Sequence, residues 1–259
     1  MSLYVKTFGT GQDIVLLHGW GLHADIWEET AQRLATAFRV TLMDLPGHGR
    51  SAAIDGAFDL DALAAAVAGT APPRAVWLGW SLGGMVAMRL AIEYPERVAG
   101  LVLVASSPQF VRSADWPHAM EPQVLETFTQ MLEQDYHDTL QRFLALQTLG
   151  SAHGSETLRS LRERASRHRA PQAAALRSGL AILRDANLRP RLREIGCPAQ
   201  LIFGQRDALV PLAEALDIKE IWPSAHWHAI KGAAHAPFLS HPDDFFDVVD
   251  EFLYEQIRQ

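Results

Sequence analysis

One serine of this sequence lies in a pattern that is typical of a nucleophile. Ser81 is the centre of the Gly-x-Ser-x-Gly pentapeptide 79–83, which reads Gly-Trp-Ser-Leu-Gly. The apolar run 75–78 before it predicts a strand, and the apolar run 85–91 after it predicts a helix. A strand, a tight turn and a helix in this order expose the serine hydroxyl above the end of a sheet. We therefore expect Ser81 to be a catalytic nucleophile.

A serine hydroxyl is a weak nucleophile at neutral pH, so it needs a base, and a third group must hold that base. On a strand–turn–helix scaffold the chain order is serine, acid, histidine. Asp207 follows the predicted strand 200–204, and His235 follows the last predicted strand, 226–230. The sequence therefore predicts a catalytic triad of Ser81, Asp207 and His235 that needs no metal and no organic cofactor.

The segment 18–21, His-Gly-Trp-Gly, follows the first apolar strand and predicts backbone donors for a developing oxyanion. Gly19 and Gly21 allow the backbone to approach a substrate closely, because they carry no Cβ. The amide of Trp20 is then free to point inward, and the second donor is expected to be the amide of Leu82, which follows the nucleophile. The predicted oxyanion hole therefore consists of the Trp20 and Leu82 amides.

Other polar residues near glycine-rich loops are predicted to be structural. His18 and His48 precede the acid, so they cannot supply the base that the expected chain order requires. Asp44 ends an earlier strand, and we interpret its role as fixing the loop 44–51. The single Cys197 excludes an internal disulfide and a multi-cysteine metal site.

The elements that must position these residues alternate between short apolar strands and helices. Strands are predicted at 14–17, 39–44, 75–78, 100–105, 200–204 and 226–230, and helices at 30–38, 60–68, 85–91, 212–221 and 242–259. This alternation is typical of an α/β fold with a mostly parallel sheet and helices on both faces.

One long segment, 110–189, interrupts this alternation because it has no convincing strand pattern. Its helical stretches are predicted at 122–149, 155–168 and 171–188. The sequence thus predicts a core domain, 1–109 and 190–259, that carries an inserted all-helical cap, 110–189. An insert after the carboxyl end of a strand lies over the ligand crevice of such a sheet.

The overall composition excludes several classes of partner. The chain has 259 residues, 48% of them hydrophobic, and a net charge of −7, which argues against general nucleic-acid binding. Its longest apolar stretches, such as 101–105, are far shorter than the roughly 20 residues that span a bilayer. Residues 1–6 lack the apolar core of a signal peptide. We expect a cytoplasmic monomer with no membrane or nucleic-acid partner.

Five strings of the chain carry a resemblance to a known family. They are LHGWGL (17–22), WLGWSLGG (77–84), VASSP (104–108), RFLALQT (142–148) and AAHAPFLSHP (233–242). The whole chain resembles the α/β-hydrolase superfamily, and most closely its BioH-type pimeloyl-[acyl-carrier protein] methyl ester esterases. The resemblance implies the α/β-hydrolase fold and a serine carboxylesterase. The expected reaction is hydrolysis of the methyl ester on a pimeloyl chain carried by acyl-carrier protein, in biotin biosynthesis.

The resemblance also implies substrate contacts, carried over by matching position. They are Trp20, Ser81, Leu82, Phe143, Leu144, Ala145, Leu146, Gln147 and His235. The alternative for the three large apolar cap residues among them, Phe143, Leu144 and Leu146, is plain packing of the cap.

The charge of the cap fits an acidic carrier protein. Between residues 159 and 177 six arginines stand against one acid, Glu163. A basic surface above the active site would steer an acidic partner to its mouth. The expected carrier contacts are Arg142, Arg159 and Arg162. The alternative is a solvated helix face without a partner.

Other functions remain open on the same residues. A broad-specificity carboxylesterase for small esters, without a carrier protein, would use the same triad, and so would a carbon–carbon hydrolase or a lactonase. Dehalogenases and epoxide hydrolases of this superfamily have aspartate at the elbow, so Ser81 argues against them. A non-catalytic ligand-binding protein on this scaffold is the most distant alternative, because such proteins usually lack one triad residue.

Overall fold

A seven-stranded sheet forms the centre of the computed structural model, which describes residues 3–257. The strands are β1 (Val5–Gly9), β2 (Gln12–Leu17), β3 (Phe38–Met43), β4 (Ala75–Trp80), β5 (Val98–Val104), β6 (Ala199–Gly204) and β7 (His226–Ile230). Their order across the sheet is β1-β3-β2-β4-β5-β6-β7. β1 runs antiparallel to β3, and all other neighbouring strands are parallel. The prediction of a mostly parallel sheet is confirmed.

The direction in which strands are added reverses at β2. The chain passes from β2 to β3 on one side and then crosses to β4 on the other side. In open parallel sheets, ligands bind at the carboxyl ends of the strands beside such a reversal. Segment 18–21 and Ser81 directly follow β2 and β4, so the topology brings both to this position.

Helices cover both faces of the sheet. In chain order they are α1 (Glu28–Leu34), α2 (Leu60–Ala68), α3 (Leu82–Glu93), α4 (Pro122–Gln134), α5 (Tyr136–Leu146), α6 (Gly154–Ala165), α7 (Ala173–Asp185), α8 (Glu214–Ile221), α9 (Pro237–Ser240) and α10 (Pro242–Gln256). Short 3₁₀ turns lie at Ala24–Trp27, Pro95–Arg97 and Arg189–Glu194. Apolar residues of α2, α3 and α8 pack on one face, and those of α1 and α10 pack on the other.

The central strands are buried on both sides. In β2, Val15 and Leu17 belong to the apolar cluster that contains α2 and α3, while Ile14 and Leu16 belong to the cluster that contains α1 and α10. Successive side chains of a strand point to opposite faces. Burial of both faces explains why these strands read as continuous apolar runs rather than as alternating patterns.

Near its N-terminal end the chain differs from the prediction in one helix and in one strand. The helix predicted at 30–38 ends at Leu34, and Phe38 instead begins β3, where it pairs in parallel register with Gln12. Strand pairing and burial of Phe38 outweigh the local helical pattern. The edge strand Val5–Gly9 was not predicted, because its side chains are mostly exposed and carry no apolar run.

Helices α4 to α7 lie between β5 and β6, inside the segment expected to form the cap. The stretch predicted as one helix, 122–149, is two helices, because Asp135 has an extended backbone and its carboxylate accepts the N–H of Asp138 at the start of α5. Before α4 the chain forms only isolated bridges, such as Val111 with Met120.

The chain ends limit two of the predictions. The last helix, predicted at 242–259, is helical to Gln256, and residues 258 and 259 lie outside the described residues. Residues 1 and 2 of the predicted core domain also lie outside them. No helix within residues 3–257 has the length and apolar character needed to cross a membrane.

Candidate active site

Ser81 occupies a strained turn between β4 and α3. Its backbone has φ 54° and ψ −119°, which costs a residue other than glycine on the order of 1–3 kcal/mol. The turn is tight, since a Cβ on Gly79 would collide with the backbone of Gly83. Neighbouring backbone fixes it: the Ser81 N–H donates to the Val104 carbonyl at 2.9 Å, and the Ser106 hydroxyl donates to the Ser81 carbonyl at 2.8 Å. The serine is thus presented at the end of the sheet.

Asp207 and His235 are in direct contact on the loops after β6 and β7. His235 Nδ1 lies 2.8 Å from Asp207 Oδ2, and the two residues are 1% and 6% exposed. The other carboxylate oxygen, Oδ1, accepts the backbone N–H groups of Leu209 and Val210 at 2.8 and 3.1 Å. These bonds fix the orientation of the carboxylate, which in turn orients the imidazole.

The second ring nitrogen of His235 is available for proton transfer. Because Nδ1–H donates to the carboxylate, Nε2 carries a lone pair, and it is buried with no hydrogen-bond partner among the described residues. The Trp80 indole N–H donates to the His235 carbonyl at 2.7 Å, so the histidine loop is tied to the residue before Ser81. No hydrogen bond joins Ser81 to His235 within residues 3–257, and in unliganded sites such bonds often close only with substrate.

The predicted oxyanion segment packs directly against the nucleophile turn. A Cβ on Gly19 would lie 3.3 Å from the Cβ of Ser81. In the part of the chain that the structure describes, the amides of Trp20 and Leu82 donate no hydrogen bond to protein. Leu82 opens α3, and N–H groups at a helix start favour negative charge. Both amides are therefore available to a ligand beside Ser81.

Buried polar groups hold the segment 18–21 in place. His18 Nε2 accepts the N–H of Leu45 at 2.9 Å, and its Nδ1–H donates to the Gly19 carbonyl at 2.8 Å. Burial lowers the pKa of His18 to about 3, so the ring is neutral. Asp44 accepts the Arg50 backbone and guanidinium N–H groups at 2.9 and 2.8 Å. The interpretation of His18 and Asp44 as structural residues is confirmed.

Cap side chains pack on Trp20. Its indole N–H donates to the Leu176 carbonyl of α7 at 2.9 Å, and its ring meets Phe143 of α5 edge-on at 4.7 Å between centroids. Phe143 in turn contacts Phe128 of α4 at 5.2 Å. A Cβ on Gly179 would collide with the Trp20 ring. The cap therefore closes over the residue that was predicted to supply one oxyanion donor.

The remaining cap residues that were expected to contact substrate differ in their burial and in their hydrogen bonds. The Gln147 carbonyl accepts the His235 N–H at 3.0 Å, and its side-chain Oε1 is buried without a partner in the described chain. Ala145 and Leu146 are half-buried. Leu144 is fully buried in the apolar cluster on the α1 and α10 side, and this packing accounts for its burial without a substrate.

Glu214, which the sequence did not single out, is fully buried at the start of α8, the helix that follows the loop carrying Asp207. Its carboxyl group lies 2.6 Å from the Ser107 hydroxyl. Burial is the main cause that raises the pKa of Glu214 to about 8; the Ser107 hydrogen bond opposes this rise, and the charge of Asp207 adds to it. Glu214 is therefore protonated at neutral pH. Local sequence carries no signal for it, because acids at helix starts are usually exposed.

The pKa of Glu214 predicts a pH dependence of stability. A folded-state pKa raised from the ordinary 4.5 to about 8 stabilises the fold at low pH, and this contribution is lost as the pH rises between these values. We expect the stability difference between the wild type and Glu214→Gln to change by about 1.4 kcal/mol per pH unit in this interval. Thermal unfolding from pH 5 to pH 8 measures it. Glu220→Gln, at an exposed site of the same helix, is the control, and parallel profiles for wild type and Glu214→Gln would contradict the prediction.

Most of the arginines of 159–177 are engaged by other groups of the protein, which leaves less free positive charge than the sequence indicated. Four of them are held by other groups: Arg164, 7% exposed, pairs with Glu29; Arg167 pairs with Glu28; Arg169 binds the Gly49 carbonyl; and Arg177 pairs with Glu133. Within residues 3–257, Arg159 and Arg162 are exposed and form no ion pair. Of the three expected carrier contacts, Arg142 pairs with Asp138 at 2.7 Å, so two remain free.

Comparison with known sequences gives a consistent result. Residues 14–242 match the family described as alpha/beta hydrolase fold. A pimeloyl-[acyl-carrier protein] methyl ester esterase of Aeromonas salmonicida is 43% identical over 98% of this chain and 100% of its own length. Proteins of the same name from Sodalis glossinidius and Yersinia pseudotuberculosis are 46% and 45% identical, over 97% and 98% of this chain and 98% of theirs.

Solved structures show the same fold. An esterase from Exiguobacterium antarcticum superposes with a TM-score of 0.88 at 21% identity, covering 98% of this chain and 96% of that one. An enol-lactonase from Burkholderia xenovorans LB400 gives 0.84 at 23% identity, with the same coverage. The expected fold class is confirmed. Given the sequence matches over almost the whole length, the chain belongs to the α/β-hydrolase fold family and, within it, to the pimeloyl-[acyl-carrier protein] methyl ester esterases.

Proposed function

We propose that this protein is a serine carboxylesterase that hydrolyses the methyl ester of pimeloyl-[acyl-carrier protein] in biotin biosynthesis. The observation that carries the proposal is the buried pair of Asp207 and His235, whose Nε2 is unpartnered, together with the strained presentation of Ser81. Relatives with this named activity match the chain at 43–46% identity over nearly its full length.

In the first half of the proposed reaction, His235 Nε2 takes the proton of the Ser81 hydroxyl as the oxygen attacks the ester carbonyl carbon. The Trp20 and Leu82 amides donate to the resulting oxyanion, and one such donor is worth about 2.7–4 kcal/mol in the transition state. The His235 proton then passes to the methoxy oxygen, the C–O bond breaks, and methanol leaves. The acyl group remains on Ser81 as an ester.

The second half repeats these steps with water. His235 removes a proton from the water as its oxygen attacks the acyl-enzyme carbonyl, and the returning proton goes to the Ser81 oxygen. The products are the free carboxylate on the pimeloyl chain and the unmodified enzyme. Asp207 keeps the imidazole in one tautomer throughout.

The cap supports an apolar acyl chain as the substrate. The side chains of Trp20, Leu82 and Phe143 belong to one apolar cluster beside Ser81, which suits the methylene groups of a pimeloyl chain. Gln147 supplies the unpartnered Oε1 named above. We propose these residues as substrate contacts, with Ala145 and Leu146 at the edge of the same region.

The reaction itself is tested with pimeloyl-[acyl-carrier protein] methyl ester and the purified enzyme. We expect methanol release and an acyl chain lighter by one methylene group in the mass spectrum of the carrier protein. Growth without biotin of an auxotroph that lacks its methyl esterase is the corresponding test in cells. Failure to demethylate the carrier-linked ester, with small esters still hydrolysed, would favour the broad-specificity carboxylesterase instead.

The free arginines on α6 are proposed to attract the acidic carrier protein. We expect the double substitution Arg159→Glu and Arg162→Glu to lower kcat/KM for the carrier-linked ester by about tenfold at low salt, because charge steering mainly affects the association rate. The loss should shrink at high salt. Hydrolysis of p-nitrophenyl acetate should not change.

The matched control is Arg74→Glu, because Arg74 is exposed just before β4, at the end of the sheet opposite the nucleophile turn. It changes the net charge in the same direction without touching the cap. Equal losses for Arg74→Glu and for the cap variant would contradict a local docking surface.

We also propose that the enzyme acts in the cytoplasm as a monomer. A carrier-linked intermediate of biotin biosynthesis as substrate supports the location. Sedimentation equilibrium at micromolar concentration tests the monomer.

A further inference from the structure

Three side chains that are able to bind a metal ion meet outside the proposed active site. They are His23, Asp25 and His168, and their nearest ligand atoms all lie within 4.8 Å of one another. His23 directly precedes the 3₁₀ turn that follows β2, and Asp25 belongs to that turn, whereas His168 follows α6. The cluster therefore joins the core to the inserted helices, and the proposed hydrolysis does not use it.

His23 holds a lone pair that the protein leaves without a partner. Its Nε2 lies 2.8 Å from the Arg164 carbonyl oxygen. Because a carbonyl oxygen can only accept a hydrogen bond, Nε2 carries the ring proton and Nδ1 carries the lone pair. His23 is 3% exposed, and Nδ1 is buried with no hydrogen-bond partner in the described residues. Metal-binding imidazoles typically donate their other N–H to a carbonyl or a carboxylate in this way.

The hydrogen bond between Asp25 and His168 explains only part of the cluster. His168 Nε2 lies 2.7 Å from Asp25 Oδ2, and Arg50 donates to Oδ1 at 2.7 Å. This pair accounts for the positions of Asp25 and His168. It leaves His23 Nδ1 unsatisfied, and a buried polar atom without a partner is costly.

We propose that His23, Asp25 and His168 bind one divalent transition-metal ion of the zinc type. Two imidazole nitrogens and one carboxylate oxygen are a donor set for such ions, with solvent completing the coordination. The ion takes the place of the proton between His168 and Asp25 and also engages His23 Nδ1. The partial exposure of His168, 26% for its side chain, provides access.

A bound ion would connect the cap and the core at a point where they already interact. Arg164, whose carbonyl holds His23, carries a guanidinium group that pairs with Glu29 of α1. The ion would strengthen this attachment, because His168 belongs to the cap segment and the other two ligands belong to the core. Arg50 places a positive charge on the same carboxylate, so the affinity should be lower than that of a closed structural zinc site. The bound ion would thus stabilise the attachment of the cap to the core and would take no part in catalysis.

The test is a Zn²⁺ titration of tag-free protein after treatment with a chelator. We expect one equivalent to bind per chain, and the Tm to rise by about 5 °C at a free Zn²⁺ concentration of 100 times Kd. His168→Asn and His23→Asn should each abolish the saturable binding and the Tm shift. Co²⁺ should bind in the same stoichiometry and give a visible absorption spectrum that both substitutions remove.

His153→Asn is the matched control. His153 forms a ring contact with His241 at 5.1 Å between centroids, similar to the contact of His23 with His168 at 4.6 Å. Neither His153 nor His241 belongs to the candidate cluster. This variant should bind Zn²⁺ as the wild type does. Absence of saturable binding to the wild type, or equal binding by His168→Asn, overturns the proposal. Because His168 is partly exposed, its variant keeps the test valid even if His23→Asn fails to fold.

Discussion

We expect Ser81→Ala to lower kcat for ester hydrolysis by about a millionfold, the loss typical of serine hydrolases without their nucleophile. The substitution removes the oxygen that is proposed to form the acyl-enzyme, while the neighbouring backbone bonds that hold the turn remain. The measurement is initial-rate kinetics with p-nitrophenyl acetate and with the carrier-linked ester. Circular dichroism melting verifies that the variant is folded.

The second variant in this series is Ser81→Ala combined with His235→Ala. Because the two side chains act as one unit in the proposed mechanism, the double variant should lose no more activity than either single variant. A fluorophosphonate should label the wild type and leave Ser81→Ala unlabelled. Activity of Ser81→Ala close to that of the wild type, or labelling of it at the wild-type rate, would refute Ser81 as the nucleophile.

Asp207→Asn should lower kcat by about ten-thousandfold, as is typical when the acid of such a triad becomes an amide. The reason is specific to this site. Asp207 Oδ1 accepts two backbone N–H groups, so the amide oxygen of the variant will occupy that position and its NH₂ group will face His235. That donor forces Nδ1 to accept, so the ring proton moves to Nε2. A protonated Nε2 cannot take the proton of Ser81.

A second aspartate–histidine pair provides the control for this prediction. Asp217 lies 2.8 Å from His118 Nδ1 at the protein surface. Asp217→Asn should retain wild-type kcat, and its melting temperature should change little, because exposed ion pairs contribute about 0–1 kcal/mol. A loss of less than tenfold in Asp207→Asn would show that its carboxylate does not set the tautomer of the base.

The parts of the site that were predictable from the sequence are those set by local pattern and chain order. The glycines around Ser81 predicted a tight turn, and a Cβ on Gly79 would indeed collide with backbone. The serine–acid–histidine order predicted that Asp207 and His235 would meet, although two elements of secondary structure separate them in the chain. In the structure, His235 Nδ1 lies 2.8 Å from Asp207 Oδ2. Parallel strands bring their carboxyl ends together, which makes such long-range contacts predictable.

The parts that were not predictable depend on burial between elements that are distant in the chain. Arg164 looked like one of six surface arginines, but tertiary packing places it 7% exposed against Glu29. Glu214 looked like an ordinary acid at a helix start, yet it is fully buried. Phe38 fitted a helical pattern and instead pairs within the sheet. The apolar periodicity of a helix or strand shows which of its faces is buried, but it does not show which distant element packs against that face.

The double attachment of Trp20 links access to the site with chemistry inside it. Its indole is anchored to a carbonyl of the cap, while its peptide N–H is the proposed donor to the reacting oxygen. If the cap moves to admit a long acyl chain, it would therefore displace the residue that is proposed to donate to the reacting oxygen. A molecule too bulky to allow re-closure would be held without being cleaved, so selection among esters would occur in turnover more than in affinity. Substrate selection would thus depend on whether the cap can return to its position after the ester has bound.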